Sequence, residues 1–329
     1  MDWTGRRVLI TGAGGFIGSH LTESLVQRGA KVRAFVRYNS RGNLGNLMYA
    51  APSALRTIEI VYGDLRDPEA VRRATAGIDT VFHLGALIAI PYSYLNPRTV
   101  LETNVVGTLN VLEAARAESV RRVIHTSSSE VYGTARYTPM DEAHPIHAQS
   151  PYAASKIGAD ATVEAFYRSF ELPVVTVRPF NTYGPRQSAR AVIPSIITQA
   201  LKGDSIKLGS RTPKRDFTFV DDTVSGFVQA AESSDLAGEE VNLGSGKAVS
   251  IGDLVQAVLA QMERQIRIVP DRQRIRPERS EVMELVASSA KAARRIDWHP
   301  QIGLAEGLAL TIAWIREHMD SYRPDDYSV

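Results

Sequence analysis

Short apolar runs recur through the first half of the chain, each followed by a stretch with helical spacing. Arg6–Thr11, Lys31–Val36, Thr57–Tyr62, Thr80–His83, Arg121–Thr126 and Val174–Arg178 read as strands. Phe16–Arg28, Pro68–Ala74, Pro97–Ser119 and Tyr152–Phe170 read as helices. Strand–helix alternation with short apolar strands predicts an α/β fold with a doubly wound parallel sheet. In such a sheet, ligands bind beyond the carboxyl ends of the strands. After Pro179 the pattern breaks into turns and single strands as far as Ser250. Ile251–Gln261 is then helical, Gln265–Val269 extended, and Leu304–His318 an amphipathic helix. We expect residues 1–180 to form the sheet domain. Residues 181–329 are expected to form a smaller α/β lobe, with segments near 215–247 returning to the sheet. The tail Arg323 to Val329 is expected to fray.

The first strand runs straight into Gly12-Ala-Gly-Gly-Phe-Ile-Gly18, and a helix follows. Glycines at 12, 15 and 18 permit a tight turn, backbone approach to a pyrophosphate, and close helix–strand packing. The helix N-terminus, with Phe16 and Ile17 in its first turn, then faces the phosphates. This is a Rossmann-type dinucleotide site, and the chemistry downstream suits a nicotinamide. Tyr152 and Lys156 stand four apart on one helix face. From there the ammonium is expected to lower the phenol pKa and make Tyr152 a usable base. Ser128, in His125-Thr-Ser-Ser-Ser-Glu-Val-Tyr-Gly133 at a strand end, can hold the substrate oxygen whose proton moves.

Val36 stands where an NAD site usually carries an acid for the ribose diol, and Arg37 follows it. An arginine there suits a 2′-phosphate and tips the expectation towards NADP, with NAD left open; stacking on the adenine is its other use. Asp64, in Gly63-Asp-Leu65, is read either as an acceptor for the adenine amino group, beside Leu65, or as a turn cap. Glu130, two residues past Ser128, is a candidate base for a carbon acid, and Ser129 a weaker candidate for relaying a proton. Arg186, Arg215 and Arg276 lie near turns in the second half, where forked guanidiniums suit a diphosphate.

Composition removes other readings. The 329 residues carry a net charge of +2 with both signs interspersed, which argues against a nucleic-acid binder and makes no case for a membrane surface. The run of arginines from 264 to 279 is better matched to an anionic small molecule. There are no cysteines, so thiolate metal sites, disulfides and thiol nucleophiles are excluded. His125 reads as a packed strand histidine. His144 and His147 lack a third partner, so no metal is expected. No signal-peptide pattern opens the chain and no apolar run reaches ~18 residues, so a cytoplasmic protein is expected.

As a set, these residues resemble the extended short-chain dehydrogenase/reductases, in particular the nucleotide-sugar epimerases, dehydratases and decarboxylases. The resemblance covers nearly the whole chain. It is carried by the glycine loop, Asp64, Asn104, Ser128, Tyr152 and Lys156. Arg178-Pro-Phe-Asn181-Thr-Tyr-Gly-Pro185, Arg215-Asp-Phe217, Val220-Asp-Asp222 and Asn242-Leu-Gly244 add to it. It implies a tightly bound, recycled NAD(P) and a nucleotide-diphosphate-sugar substrate contacted by Asn181, Arg215 and Arg276. It also implies that Asn104 braces the active-site helix. A homodimer is implied through the helices near Leu101–Ala117 and Tyr152–Phe170. Val105, Leu109 and Leu112 form an apolar stripe there, which burial within the monomer explains equally well.

The 4,6-dehydratases of this group carry Thr-Asp-Glu or Thr-Ser-Glu before Val-Tyr-Gly, and the epimerases usually lack the glutamate. Ser128-Ser129-Glu130 therefore looks like a dehydratase without its aspartate, which leaves the general acid open. The Ser-Glu pair also occurs in the UDP-glucuronate decarboxylases. Gly133 to Lys156 and Arg178 to Arg190 are similar to the 4,6-dehydratases of the legionaminic-acid pathway, which implies a UDP- or GDP-N-acetylglucosamine substrate. Phe35 to Ser40 is similar to NADP-using GDP-mannose 4,6-dehydratases. A 4,6-dehydratase is the expected activity, then a 4-epimerase, then a decarboxylase. A non-catalytic redox sensor of this fold is the reading from another class.

Overall fold

The computed structural model describes residues 2–322, so the expectation for the tail from Arg323 lies outside the described residues. Six strands of the first half are β1 (Arg7–Thr11), β2 (Lys31–Arg37), β3 (Glu59–Gly63), β4 (Thr80–His83), β5 (Arg122–Thr126) and β6 (Val174–Pro179). The second half adds β7 (Asn181–Tyr183), β8 (Ser205–Leu208), β9 (Lys214–Phe219), β10 (Glu240–Leu243), β11 (Ala248–Ser250) and β12 (Arg267–Pro270). Seven of them form one parallel sheet in the order β10-β6-β5-β4-β1-β2-β3. β4 is buried at every position and β1 at all but its first, as expected of strands covered on both faces.

The sheet is joined by chain from the second half. β10 pairs with β6 in the register Glu240↔Thr176 to Leu243↔Pro179. The helix Val220–Glu232 buries Val224, Phe227 and Val228 in the same core as Ile124 and Val175. β9 does not join the main sheet; with β7 and β11 it forms a three-stranded sheet. β8 and β12 make a separate pair.

The helix Pro151–Phe170 carries the Tyr/Lys pair. It is started by the Ser150 hydroxyl, which accepts from the Ala153 amide at 3.0 Å, and by Pro151 in the first turn. It stops at Glu171, whose φ of 54° is left-handed. The expected single helix from Pro97 is in fact Pro97–Leu101, a π turn over Glu102–Val106, and Gly107–Ala117. Leu112 is buried in the monomer's own core, with Leu109 packed against it, so much of that stripe faces inwards. Among the described residues, no helix is long and apolar enough to cross a membrane.

Candidate active site

The strand order reverses between β1 and β4, and a cleft of about 960 Å³ lies beyond their carboxyl ends. Its floor is the glycine loop. Gly12 has φ +71°, and a Cβ on it would lie 2.7 Å from the Gly85 nitrogen. A Cβ on Gly18 would lie 2.2 Å from the Gly12 oxygen. The helix Phe16–Gln27 begins at Gly15 with no side-chain cap and no acid in its first turn. Its first amides, with Phe16 and Ile17, therefore line the cleft unscreened. This cradle fits a dinucleotide pyrophosphate.

The adenosine end is rich in donors. Arg37 closes β2, and Asn39, Arg41 and Asn43 follow it along the cleft wall. Asp64 lines the cleft and caps its own turn: it accepts from the Arg66 amide at 2.9 Å and from the guanidinium at 2.7 and 3.1 Å. That arginine holds the Asp64 carboxyl below its ordinary range. Leu65 is buried beneath Gly85 and Gly107.

Ser128 caps the short 3-10 helix Ser129–Tyr132, its hydroxyl accepting from the Glu130 amide at 3.2 Å. The same hydroxyl faces the phenol of Tyr152, which is buried. Burial pushes the Tyr152 phenol up to about 12, against the Ser128 hydroxyl, which pulls it down. Burial pushes the Lys156 ammonium down to about 8, opposed by Asp160. The ammonium donates to the Thr126 carbonyl. The expected lowering of Tyr152 by Lys156 is thus corrected: desolvation of the phenolate dominates, and the ammonium turns to backbone. Asn104 braces this helix, donating to Ser155 Oγ at 2.9 Å and exchanging two bonds with the Leu87 backbone.

Glu130 is buried and lines the cleft with Ser129. Arg276 comes to 3.6 Å from it and to 3.8 Å from Glu281, and Arg215 binds Glu281 at 3.3 Å. Arg276 and Asn181 line the cleft, and the Asn181 side-chain oxygen is buried with no partner among the described residues. Arg215 is buried behind Glu281 and does not line the cleft. Arg186 does not line it either: it pairs with Glu23 at 2.5 Å and donates to the Tyr49 carbonyl, tying its loop to the sheet domain. Gln187, Ser188 and Arg190, just after it, line the cleft instead, as do Tyr92 and Arg41. Sequence reasoning missed these five; their one signal was proximity to motifs already singled out.

The histidines have other partners. His125 bonds Asp160 at 3.1 Å, and His144 accepts from the Arg136 amide at 3.0 Å with its other nitrogen against the Pro145 carbonyl. No cluster of three or more metal-ligating side chains occurs among the described residues.

A family model described as GDP-mannose 4,6 dehydratase matches residues 9–311. The UDP-glucose 4-epimerase of Mycolicibacterium smegmatis is 34% identical over 317 residues, spanning 94% of this chain and 98% of that protein. A dTDP-glucose 4,6-dehydratase of Streptomyces griseus is 33% identical over 325 residues, spanning 96% of each. The crystal structure of a dTDP-glucose 4,6-dehydratase from Streptomyces venezuelae, with NAD and TYD bound, matches with a TM-score of 0.87 at 30% identity. The match covers 97% of this chain and 100% of that one.

Proposed function

The chain belongs to the GDP-mannose 4,6-dehydratase family, NAD(P)-dependent nucleotide-sugar enzymes among the extended short-chain dehydrogenase/reductases, and on that premise we propose that it is a nucleotide-sugar 4,6-dehydratase. The observation that carries the reading is Glu130, a buried carboxylate in the same cleft as Ser128 and Tyr152 and two residues from Ser128. An exchange of configuration at C4 needs no such group; removal of a carbon-bound proton does.

Once ionised, Tyr152 Oη takes the proton from the sugar 4-hydroxyl while Ser128 Oγ holds that oxygen; the buried phenol is neutral at rest, so this step needs positive charge brought into the cleft. The glycine loop, Arg37 and Lys156 would hold an NAD(P)+, which would supply a reversible hydride acceptor for C4 and C6. Lys156, one helical turn on from Tyr152, places a positive charge on the same helix face. With C4 a ketone, the C5 proton is acidic enough for a carboxylate, and Glu130 takes it. The C6 hydroxyl leaves as water, its proton supplied by Glu130 or Ser129. Sequential transfers let one carboxylate act first as base and then as acid. As hydride returns to C6, C5 takes back a proton and Tyr152 gives up the one it received, so the product is a 4-keto-6-deoxy sugar nucleotide lighter by one water. Asn181, whose oxygen has no partner among the described residues, and Arg276 are the side chains best placed for the substrate, with Arg215 setting Arg276 through Glu281.

Finer assignments rest on narrower support. UDP- or GDP-N-acetylglucosamine is the favoured substrate, from the likeness of residues 133–156 and 178–190 to the legionaminic-acid dehydratases. NADP is favoured over NAD because Arg37 and Arg41 line the cleft past β2 and no acid stands at its end. Release of the nucleotide by denaturation and chromatography decides that point. A homodimer is supported by Leu101, Val106 and Phe170, exposed apolar side chains on the helices named for it, and sedimentation checks it. The cytoplasm is the compartment we assign.

The test is mass spectrometry of products from UDP- and GDP-N-acetylglucosamine, UDP-glucose, dTDP-glucose, GDP-mannose and UDP-glucuronate. Loss of one water from one of these, without net cofactor reduction, is expected. The second reading is a 4-epimerase, favoured by the epimerase relative from M. smegmatis. An isomer of unchanged mass would establish it and remove the role of Glu130. Loss of carbon dioxide from the glucuronate would indicate a decarboxylase.

A further inference from the structure

We propose that Asp160 is a positioning residue for the proton-transfer pair. Its carboxylate locks the end of β5 to the helix Pro151–Phe170, so that Ser128 meets Tyr152 and the Thr126 carbonyl meets Lys156. The inference rests on the reading of Tyr152 and Lys156 as the acid–base pair.

Tyr152, Lys156 and Asp160 follow one another at four-residue intervals on one face of the helix. Asp160 is buried and does not line the cleft, so it does not touch substrate. Its two oxygens are saturated from two neighbouring strands. Oδ1 faces His125 Nε2 at 3.1 Å. Oδ2 accepts from Ser127 Oγ at 2.7 Å and from Arg178 at 3.1 and 3.3 Å. Ser127 is the residue between Thr126, whose carbonyl receives the Lys156 ammonium, and Ser128, which faces the Tyr152 phenol. One carboxylate therefore sets both contacts of the catalytic pair, and each is sensitive to displacement: a shift of about 1 Å in a reacting group can cost ~10²-fold in rate.

Charge points the same way. The titratable groups coupled to the ammonium are Asp160 from its own helix, His83 from β4 and His125 from β5, with Arg178 of β6 acting on His125. Burial holds both histidines below their ordinary range, so they stay neutral near neutral pH. Arg178 is shared among Asp160, the Tyr132 hydroxyl and Glu240. Asp160 is the anion that acts on Lys156.

Asp160→Asn and Ser127→Ala, with Tyr152→Phe as control, test this in the full-length protein. The readouts are kcat and KM against pH with GDP-N-acetylglucosamine, and the titration of Lys156 by NMR in protein carrying 13C at the lysine ε-carbon. For Asp160→Asn we expect kcat to fall about tenfold with KM nearly unchanged. The Lys156 titration and the high-pH limb of kcat should both move to lower pH. For Ser127→Ala we expect a loss of about threefold in kcat with the Lys156 titration in place, because the charge remains. Parental kcat in both variants, or a parental Lys156 titration in Asp160→Asn, overturns the proposal. If Asp160→Asn does not fold, Ser127→Ala decides, and parental kcat there is fatal. Should GDP-N-acetylglucosamine not turn over, the Lys156 titration decides. Parental turnover in Tyr152→Phe would instead sink the acid–base reading itself.

Discussion

The cleft is served by two clusters built in different ways. Ser128, Tyr152 and Lys156 come from the end of β5 and one capped helix, and hydrogen bonds to backbone hold Ser128 and Lys156. Glu130, Arg215, Arg276 and Glu281 come from three separate stretches of chain and meet through ion pairs of 3.3 to 3.8 Å. The first arrangement suits a proton that moves between fixed atoms. The second is a set of opposed charges that an arriving diphosphate can re-pair. On the proposed function, oxidation at C4 belongs to the first cluster, and elimination and substrate capture belong to the second.

Substitutions can separate the two. Tyr152→Phe should cost about 10²–10⁴-fold in turnover while nucleotide binding, followed by calorimetry, stays at the parental level. Glu130→Gln should slow water loss by about 10²-fold yet still permit reduction of the nicotinamide in a single turnover, read by absorbance. Parental water loss in that variant would erase the division between the clusters.

Lys156→Met tests the cost of the rigid cluster. Burial puts the folded-state pKa of Lys156 at about 8, below the ordinary 10.5. Between those values the unfolded chain binds more protons, so this group's contribution to stability rises with pH there. Below about 8 the folded protein bears the full cost of a buried ammonium. The variant should therefore melt higher than the parent near neutral pH, with the gap closing towards 10.5. A gap independent of pH would show that packing, not charge, separates them. The smallest effect is expected of Glu281→Gln. Releasing Arg215 and Arg276 should lower KM for the nucleotide sugar by about twofold to fivefold and leave kcat nearly unchanged.

What could be read in the chain follows the same divide. β4 and the helix Ile251–Gln261 have the bounds their periodicity predicts, and the other strands of the first half differ by two residues at most. The glycine loop, Ser128, Tyr152 and Lys156 are likewise local patterns, and all line one cleft. What escaped was long-range. The π turn at Glu102–Val106 surrounds Asn104, whose bonds run to Leu87 and Ser155. No local spacing could show that Arg276 would stand beside Glu130. Nor could it show that Arg186 would turn to Glu23 while Arg190, four residues on, lined the cleft. Arginines of one composition were sorted by tertiary partners. The Tyr152 pKa escaped for a related reason: helical spacing brings a lysine near a phenol but does not say how dry the place is.

The edge strand β10 has a consequence for how the molecule is made. β6 ends at Pro179, and its outer partner does not exist until the chain has been synthesised past Leu243. During translation β6 is a nascent edge, a row of unpaired amides and carbonyls on an apolar strand. The ribosome must extend through β7, β8, β9 and the helix Val220–Glu232 before that edge is closed. The seven-stranded sheet therefore cannot be completed before residues 240–243 have been made. A nascent chain paused between Pro179 and Glu240 is the species in which chaperone capture or edge-to-edge aggregation should concentrate.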